Sequence, residues 1–235
     1  MFSAVVFDMY ETLVTVFDRR PYYSEMMAED AGVPVEQYRE HWHHYENIRT
    51  VGGCDLAEAV RGTLKELGIS REDLTDLIVR KRLADQDRVF GSIRPEIIAM
   101  LEGLKQQGFL IGLISNCYLE ERDCIRASRL APYFDVMMLS CELGIRKPDP
   151  EIFSRCAEAL NIRADEILYV GDGGSMELEQ AAASGMVPLQ ACWFIREAGP
   201  HTHGCRKEDC PHAEAPEQVL SAALRGTGNL NETLM

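Results

Sequence analysis

Asp8 closes the apolar run Ala4-Val5-Val6-Phe7 and opens the polar stretch Met9-Tyr10-Glu11-Thr12. A carboxylate released from the end of a buried run can attack an electrophile or hold a cation. Two later runs have the same form. Leu110-Ile111-Gly112-Leu113-Ile114 ends on Ser115-Asn116, and Ile167-Leu168-Tyr169-Val170 ends on Gly171-Asp172-Gly173-Gly174. Between them Lys147 stands in Arg146-Lys147-Pro148-Asp149-Pro150. A carboxylate nucleophile, a hydroxyl with an amide, a lysine and a second carboxylate are the parts needed to transfer a charged group.

The elements that must position these residues follow from the pattern. Short apolar runs bounded by polar clusters predict buried parallel strands, and ligands bind where such strands end. From about residue 92, helices and strands alternate. Helices are predicted over 95–107, 119–129, 150–160 and 176–184, and strands over 109–114, 135–140, 167–170 and 187–194. Alternation at this spacing implies right-handed crossovers and an α/β fold, a doubly wound, Rossmann-like parallel sheet. Residues 16–91 differ: they lack strand-like runs, and 36–45, 55–67 and 71–84 have the spacing of amphipathic helices. Ser70 with Asp73 offers a capping start for the last of these. The predicted organisation is a core domain from 1–15 and 92–225, an inserted helical cap over 16–91, a His/Cys-rich loop over 199–213 and a mobile tail over 226–235.

The chain has 235 residues, with 24 basic against 38 acidic side chains and a net charge of −14. That balance argues against a nucleic-acid backbone or an anionic membrane as partner. It leaves room for a small anionic substrate, since a lysine and a metal can reverse the local field. The N-terminus enters the first strand directly, without the basic and apolar regions of a signal peptide, so a cytoplasmic protein is expected. Eight cysteines in that compartment point to thiols or metal ligands rather than a disulfide framework.

The four segments, in this order, resemble the haloacid dehalogenase-like (HAD) hydrolase superfamily over about residues 4 to 195. Lys147-Pro148-Asp149-Pro150-Glu151-Ile152-Phe153 looks like the subgroup whose cap follows the first motif. The resemblance implies Asp8 as nucleophile and Ser115 and Asn116 as donors to a phosphate oxygen. It implies Lys147 as the charge-neutralising lysine and Thr12 as a loop brace, bonded from side chain to backbone. It also implies a magnesium ion held by Asp8, Asp172 and the backbone carbonyl of Tyr10, with Glu177, in place of the family's second Asp, reaching the metal through a water. The expected partner is a phosphorylated small molecule; the oligomeric state is left open.

Two departures bear on the reaction. Phosphatases of this family usually carry a general-acid Asp where this chain has Tyr10, and a glycine where it has Glu11. A tyrosine there is a feature of 2-haloacid dehalogenases, which release halide and need no acid. Glu11 is considered as a substitute acid. The fourth motif argues the other way, because such dehalogenases use no magnesium and resemble Ser-Ser-Asn at that place. A carboxylate at 172 beside Asp8 needs a cation between them. Phosphate-ester hydrolysis is therefore favoured over metal-independent dehalogenation, and a non-catalytic metal-binding or redox protein on this scaffold is the third alternative.

In the cap, Arg49 and Gly53 mark a loop expected to dip toward the site, with Arg49 available for a substrate carboxylate or second phosphate. His41 and His44 share a helix face and read as surface residues. His201, His203, Cys205, Cys210 and His212 crowd one loop and form a candidate zinc site, although their spacing matches no standard finger.

Overall fold

The computed structural model describes residues 1–195 and 204–226. In chain order the elements are β1 (Ala4–Phe7), α1 (Ser24–Ala31), α2 (Val35–Thr50), α3 (Leu56–Glu66), α4 (Glu72–Gly91), α5 (Pro95–Gln106), β2 (Leu110–Ser115), α6 (Leu119–Ala127), β3 (Val136–Leu139), α7 (Ser140–Leu143), α8 (Pro150–Leu160), β4 (Ile167–Gly171), α9 (Glu177–Ala183), β5 (Val187–Ala191), β6 (His212–Ala213) and α10 (Glu217–Arg225). The strands form one sheet in the order β3-β2-β1-β4-β5-β6, and every pairing is parallel.

Side chains alternate across the sheet and bury on both faces. Val5 and Phe7 pack with Ile111, Leu113, Leu168 and Val170 under Ile97 and Leu101 of α5 and Val219 of α10. Ala4 and Val6 face the other way, with Tyr169, beneath Ile152 and Phe153 of α8 and Leu178 of α9. Burial of both faces explains why these strands read as continuous apolar runs. The helices α1 to α4 carry a separate core of Tyr38, Trp42, Leu56, Val60, Leu64, Leu74 and Ile78.

β1 lies between β2 and β4, so the strand order reverses there, the place where sheets of this kind open a crevice. Phe7 pairs with Leu113 on one side and Val170 on the other. The chain therefore ends β1 at Phe7, β2 at Ser115 and β4 at Gly171 on one edge of the sheet, and Asp8, Asn116 and Asp172 follow there. Register alone brings the three strand-end motifs together.

The sheet and most helices lie where the sequence predicts. The third predicted helix begins later, with Arg71 at its cap position and no side-chain cap bond. Ser70 plays no capping part; Glu72 and Asp73 in the first turn favour the positive helix end instead. A capping box is built instead at α3, where Asp55 accepts from Glu58 N at 2.8 Å and Glu58 accepts from Asp55 N at 2.9 Å. The strand predicted over 187–194 ends at Ala191. The elements α1, α7, β6 and α10 are not anticipated by the pattern. No described helix is long and apolar enough to cross a membrane. Residues 227–235, most of the predicted tail, lie outside the described residues.

Candidate active site

The site is built around buried charge. Asp8 is 6% exposed, Lys147 4% and Glu177 1%. Lys147 Nζ ion-pairs with both Asp8 Oδ1 and Glu177 Oε2 and lies 3.4 Å from the Tyr169 hydroxyl. Tyr169 donates to Glu177 Oε2 at 2.8 Å, and Gly173 N donates to Glu177 Oε1 at 3.2 Å. Asp172 Oδ1 accepts from Gly174 N at 3.0 Å.

Asp8, Asp172 and Glu177 each place a carboxylate oxygen within 4.8 Å of the others, the one such group of three or more metal-ligating residues among the described residues. Three carboxylates against one ammonium leave two negative charges uncompensated. The consequence appears in their acidities. Burial, then the Glu177 carboxylate, pushes Asp8 up to about 8 against the pull of Lys147. Burial and Glu177 likewise push Asp172 up to about 6. Burial pulls Lys147 down, but its two carboxylate partners prevail and hold it above the ordinary lysine value. A divalent cation with a preference for hard oxygen ligands matches both the donor set and the missing charge.

Local backbone geometry makes this convergence feasible. Between Asp172 and Glu177 the chain passes through left-handed conformations at Gly173, Ser175 and Met176, a coil that returns the Glu177 carboxylate toward the strand end. Two of those residues are not glycine, and such conformations persist only where the surroundings hold them. Gly171 supplies the space: a Cβ there would lie 2.1 Å from Glu177 Oε1.

Asn116 ties the second and third motifs together. Its Oδ1 accepts from Lys147 N at 2.7 Å and its Nδ2 donates to Lys147 O at 3.0 Å. Asn116 thus holds the lysine loop as well as facing the cavity. Ser115 Oγ is fully buried with no hydrogen-bond partner in the protein, a group whose desolvation calls for a ligand. Thr12 differs from expectation. Its hydroxyl donates to Asp8 Oδ2 at 3.4 Å rather than to the backbone, while its carbonyl accepts from Trp193 Nε1 at 2.9 Å. Glu11 turns away from the site: its carboxylate accepts from Thr15 Oγ1 at 2.7 Å and Val16 N at 2.8 Å. That removes it as a substitute acid.

A cavity of about 740 Å³ opens beside the motifs. Tyr10, Asn116 and Ser175 line it from the sheet edge, and Arg82, Tyr118 and Glu121 from the helices. Arg82 of α4 is 3% exposed and donates to Glu121 of α6 at 2.7 Å. Tyr10 puts its hydroxyl 3.4 Å from the Gln86 side-chain amide, and burial with the nearby Glu121 holds the phenol well above its usual range.

Arg49 and Gly53 do not line this cavity. Arg49 occupies the last turn of α2 rather than a loop, is 1% exposed and ion-pairs with Glu120. Its guanidinium stacks 3.9 Å from the Tyr118 ring centre. Helix α2 runs further than predicted, so the arginine packs against α6 instead of reaching the site. Gly53 N donates to Ile48 O at 2.9 Å, closing the end of α2. Its neighbour Gly52 meets α7 so closely that a Cβ would lie 2.1 Å from the Cys141 carbonyl.

His201 and His203 lie outside the described residues. Cys205, Cys210 and His212 make no three-ligand group. Cys205 is exposed, with its carbonyl accepting from Gln190 Nε2 at 2.8 Å. Cys210 Sγ turns to Pro211 O at 3.4 Å, and His212 is drawn into β6. The zinc expectation gains no support from these three. His41 and His43 pair with Glu66 and Glu46 at 2.9 and 2.7 Å.

Sequence reasoning missed Tyr169, Arg82 and Glu121. A tyrosine within the aliphatic strand Ile167–Gly171 is a signal for Tyr169, because a buried phenol requires a polar partner. Nothing local marks Arg82 or Glu121, whose roles arise from the packing of α4 on α6.

A family model described as haloacid dehalogenase-like hydrolase matches residues 2–185. The glyceraldehyde 3-phosphate phosphatase of Methanopyrus kandleri is 26% identical over 152 residues, 58% of this chain; the match spans 65% of that enzyme, less than two thirds of its length. The (S)-2-haloacid dehalogenase 1 of a Pseudomonas species is 30% identical over 178 residues, 71% of this chain and 74% of that enzyme. The solved 2-haloacid dehalogenase of Pseudomonas syringae pv. Tomato superposes with a TM-score of 0.69 at 23% identity, covering 96% of this chain and 99% of that one. The last is a likeness of fold.

Proposed function

The chain belongs to the haloacid dehalogenase-like hydrolases, and from that premise we propose that it is a magnesium-dependent phosphomonoesterase acting through an aspartyl-phosphate on Asp8. The observation that carries the reading is the charge imbalance at Asp8, Asp172 and Glu177, which share one lysine. Asp8, Asp172 and the Tyr10 carbonyl would hold the magnesium ion, with Glu177 behind them. When bound, the ion supplies charge neutralisation to the carboxylates and to the phosphate oxygens.

The residues divide the remaining work. An Asp8 carboxylate oxygen attacks phosphorus as the ester oxygen leaves with the bonding pair, and water later attacks the acyl phosphate to release inorganic phosphate. Lys147 balances charge beside the nucleophile. The unpartnered Ser115 hydroxyl, 0% exposed, gives the phosphate a donor. Thr12 steadies the second Asp8 oxygen. With Tyr10 where the family's general-acid Asp usually stands and Glu11 bonded to Thr15 and Val16, esters of acidic alcohols are the natural fit. Helices α1 to α4 act as the cap, and the cavity's polar lining suits a small phosphorylated molecule.

The test is hydrolysis of an activated aryl phosphate with and without magnesium, beside Asp8→Asn. The proposal requires magnesium-dependent turnover that the substitution abolishes. Tyr10 and the 30% identical dehalogenase favour a second reading, 2-haloacid dehalogenation. Halide release that persists in chelator would establish it and displace the first.

A further inference from the structure

Cys117 follows Asn116 at the end of β2, and Cys141 lies in α7 at the end of the neighbouring β3. Their sulfurs are 3.8 Å apart. Both thiols are buried, Cys117 at 1% and Cys141 at 6% exposure. Ser140 draws the two segments together: Cys117 N donates to Ser140 Oγ at 3.0 Å, and Ser140 Oγ donates to Cys117 O at 3.2 Å. We propose that Cys117 and Cys141 form a modification site, a dithiol that hydrogen peroxide converts reversibly into an intrachain disulfide beside the substrate cavity.

The geometry requires little movement. A disulfide needs sulfurs about 2.0 Å apart, so closure draws them together by less than 2 Å across a junction already fixed by Ser140. The pair is also chemically unequal. The hydrogen bond with Cys117 holds the Cys141 thiol below its ordinary value against burial, and the Arg122 guanidinium adds to the effect. Hydrogen bonding and burial hold Cys117 well above it. Cys141, the less buried of the two, is the attacking thiolate.

The steps balance. The Cys141 thiolate attacks one peroxide oxygen, the O–O bond breaks, and the departing hydroxide takes the Cys117 proton to become water. Cys141 is then a sulfenic acid. The Cys117 thiolate attacks the Cys141 sulfur, the S–S bond forms, and hydroxide leaves to be protonated to water. Two thiols lose two electrons and one peroxide gains them.

Closure acts on both sides of the cavity. Cys117 is bonded in the chain to Asn116, which holds the Lys147 backbone. The Cys141 carbonyl abuts Gly52 at the end of α2. A shift at the sulfurs therefore reaches the lysine loop and the helical segment together. Its effect on turnover rests on the proposed hydrolase activity; formation of the bond does not.

The experiment treats the full chain with a slight excess of hydrogen peroxide, alkylates after denaturation and maps peptides without reduction. Two of the eight cysteines should become resistant to alkylation and appear as one Cys117–Cys141 linked peptide, restored to thiols by dithiothreitol. Cys141→Ala and, as a second variant, Cys117→Ala should each abolish that peptide, with thermal melting used to establish that both are folded. Aryl phosphate turnover should fall on oxidation of the native chain and recover on reduction, while Cys117→Ala treated alike keeps its own untreated rate. A chain in which both residues remain alkylatable while exposed Cys205 oxidises would overturn the proposal. So would irreversible oxidation of Cys141 with no linked peptide. If no turnover is seen under any condition, the linked peptide still decides the site.

Discussion

Lys147 bridges Asp8 and Glu177, one ammonium facing two carboxylates that are far apart in the chain. Asp172 adds a third carboxylate within reach of both. Removing the lysine head removes the only cation in contact with this group among the described residues. Lys147→Met should lower the stability of metal-free protein by about 3–5 kcal/mol near pH 8, the usual cost of leaving a buried charge without its partner. The loss should shrink near pH 5, where Asp8 and Asp172 are protonated. Denaturant melts in chelator at the two pH values measure it, and equal losses at both would refute this account.

The raised pKa values of Asp8 and Asp172 give the wild-type chain its own pH dependence. Asp8 rises from 3.8 to about 8 and Asp172 from 3.8 to about 6. A carboxyl with a raised folded-state value binds more protons folded than unfolded, so stability is full below about pH 4 for these groups and falls as pH rises to about 8. Magnesium replaces the lost protons as counter-charge. In chelator the melting temperature should therefore decline from pH 5 to pH 8, and magnesium should flatten that decline. An identical slope with and without magnesium would separate the carboxylates from any metal site.

Tyr10 stands where an acid would assist the leaving group. Tyr10→Asp should raise turnover of alkyl phosphates by about 10²-fold or more, the range that a positioned acid contributes. Turnover of aryl phosphates with acidic leaving groups should change little. Comparing kcat/KM across a series of leaving groups, before and after the substitution, measures the difference. A uniform loss across the series would mean that the phenol itself is needed.

Gly171 leaves the space that the Glu177 carboxylate occupies. Gly171→Ala would set a Cβ 2.1 Å from Glu177 Oε1 and push that carboxylate off Tyr169 and Gly173. Magnesium affinity should fall on the order of 10–100-fold, as when other groups that orient a metal site are disturbed. Titration of the metal by calorimetry measures it, with circular dichroism to establish that the fold is retained.

Arg82 and Glu121 are a buried pair. Arg82→Met alone leaves Glu121 desolvated and should cost about 3–5 kcal/mol, whereas Arg82→Met with Glu121→Leu should cost much less. A double mutant that melts at or below the Arg82→Met single would refute this account.

Much of this arrangement is legible in the sequence, for a physical reason. Asp8, Ser115 and Asp172 each follow a run that can only be a buried strand, and parallel register then gathers strand ends. Glu177 is legible as an acid at a helix start but not as a buried one, because its burial depends on the left-handed turn at Ser175 and Met176, which are not residues that announce such a turn. Arg49 misleads because α2 continues to Thr50 through residues with weak amphipathic pattern. Tertiary contact with α6, not propensity, carries that last turn. The short strand β6 exists only by pairing with Gln190 and Ala191, so two residues carry no signal of their own.

Glu120 and Glu121 are consecutive in the first turn of α6, yet they grip arginines from two different helices, Arg49 from α2 and Arg82 from α4. Mechanically this is a fastening at two points on a short baseline. Sliding the helical segment along the sheet edge would strain both fastenings at once. Tilting it about one of them would release only the other.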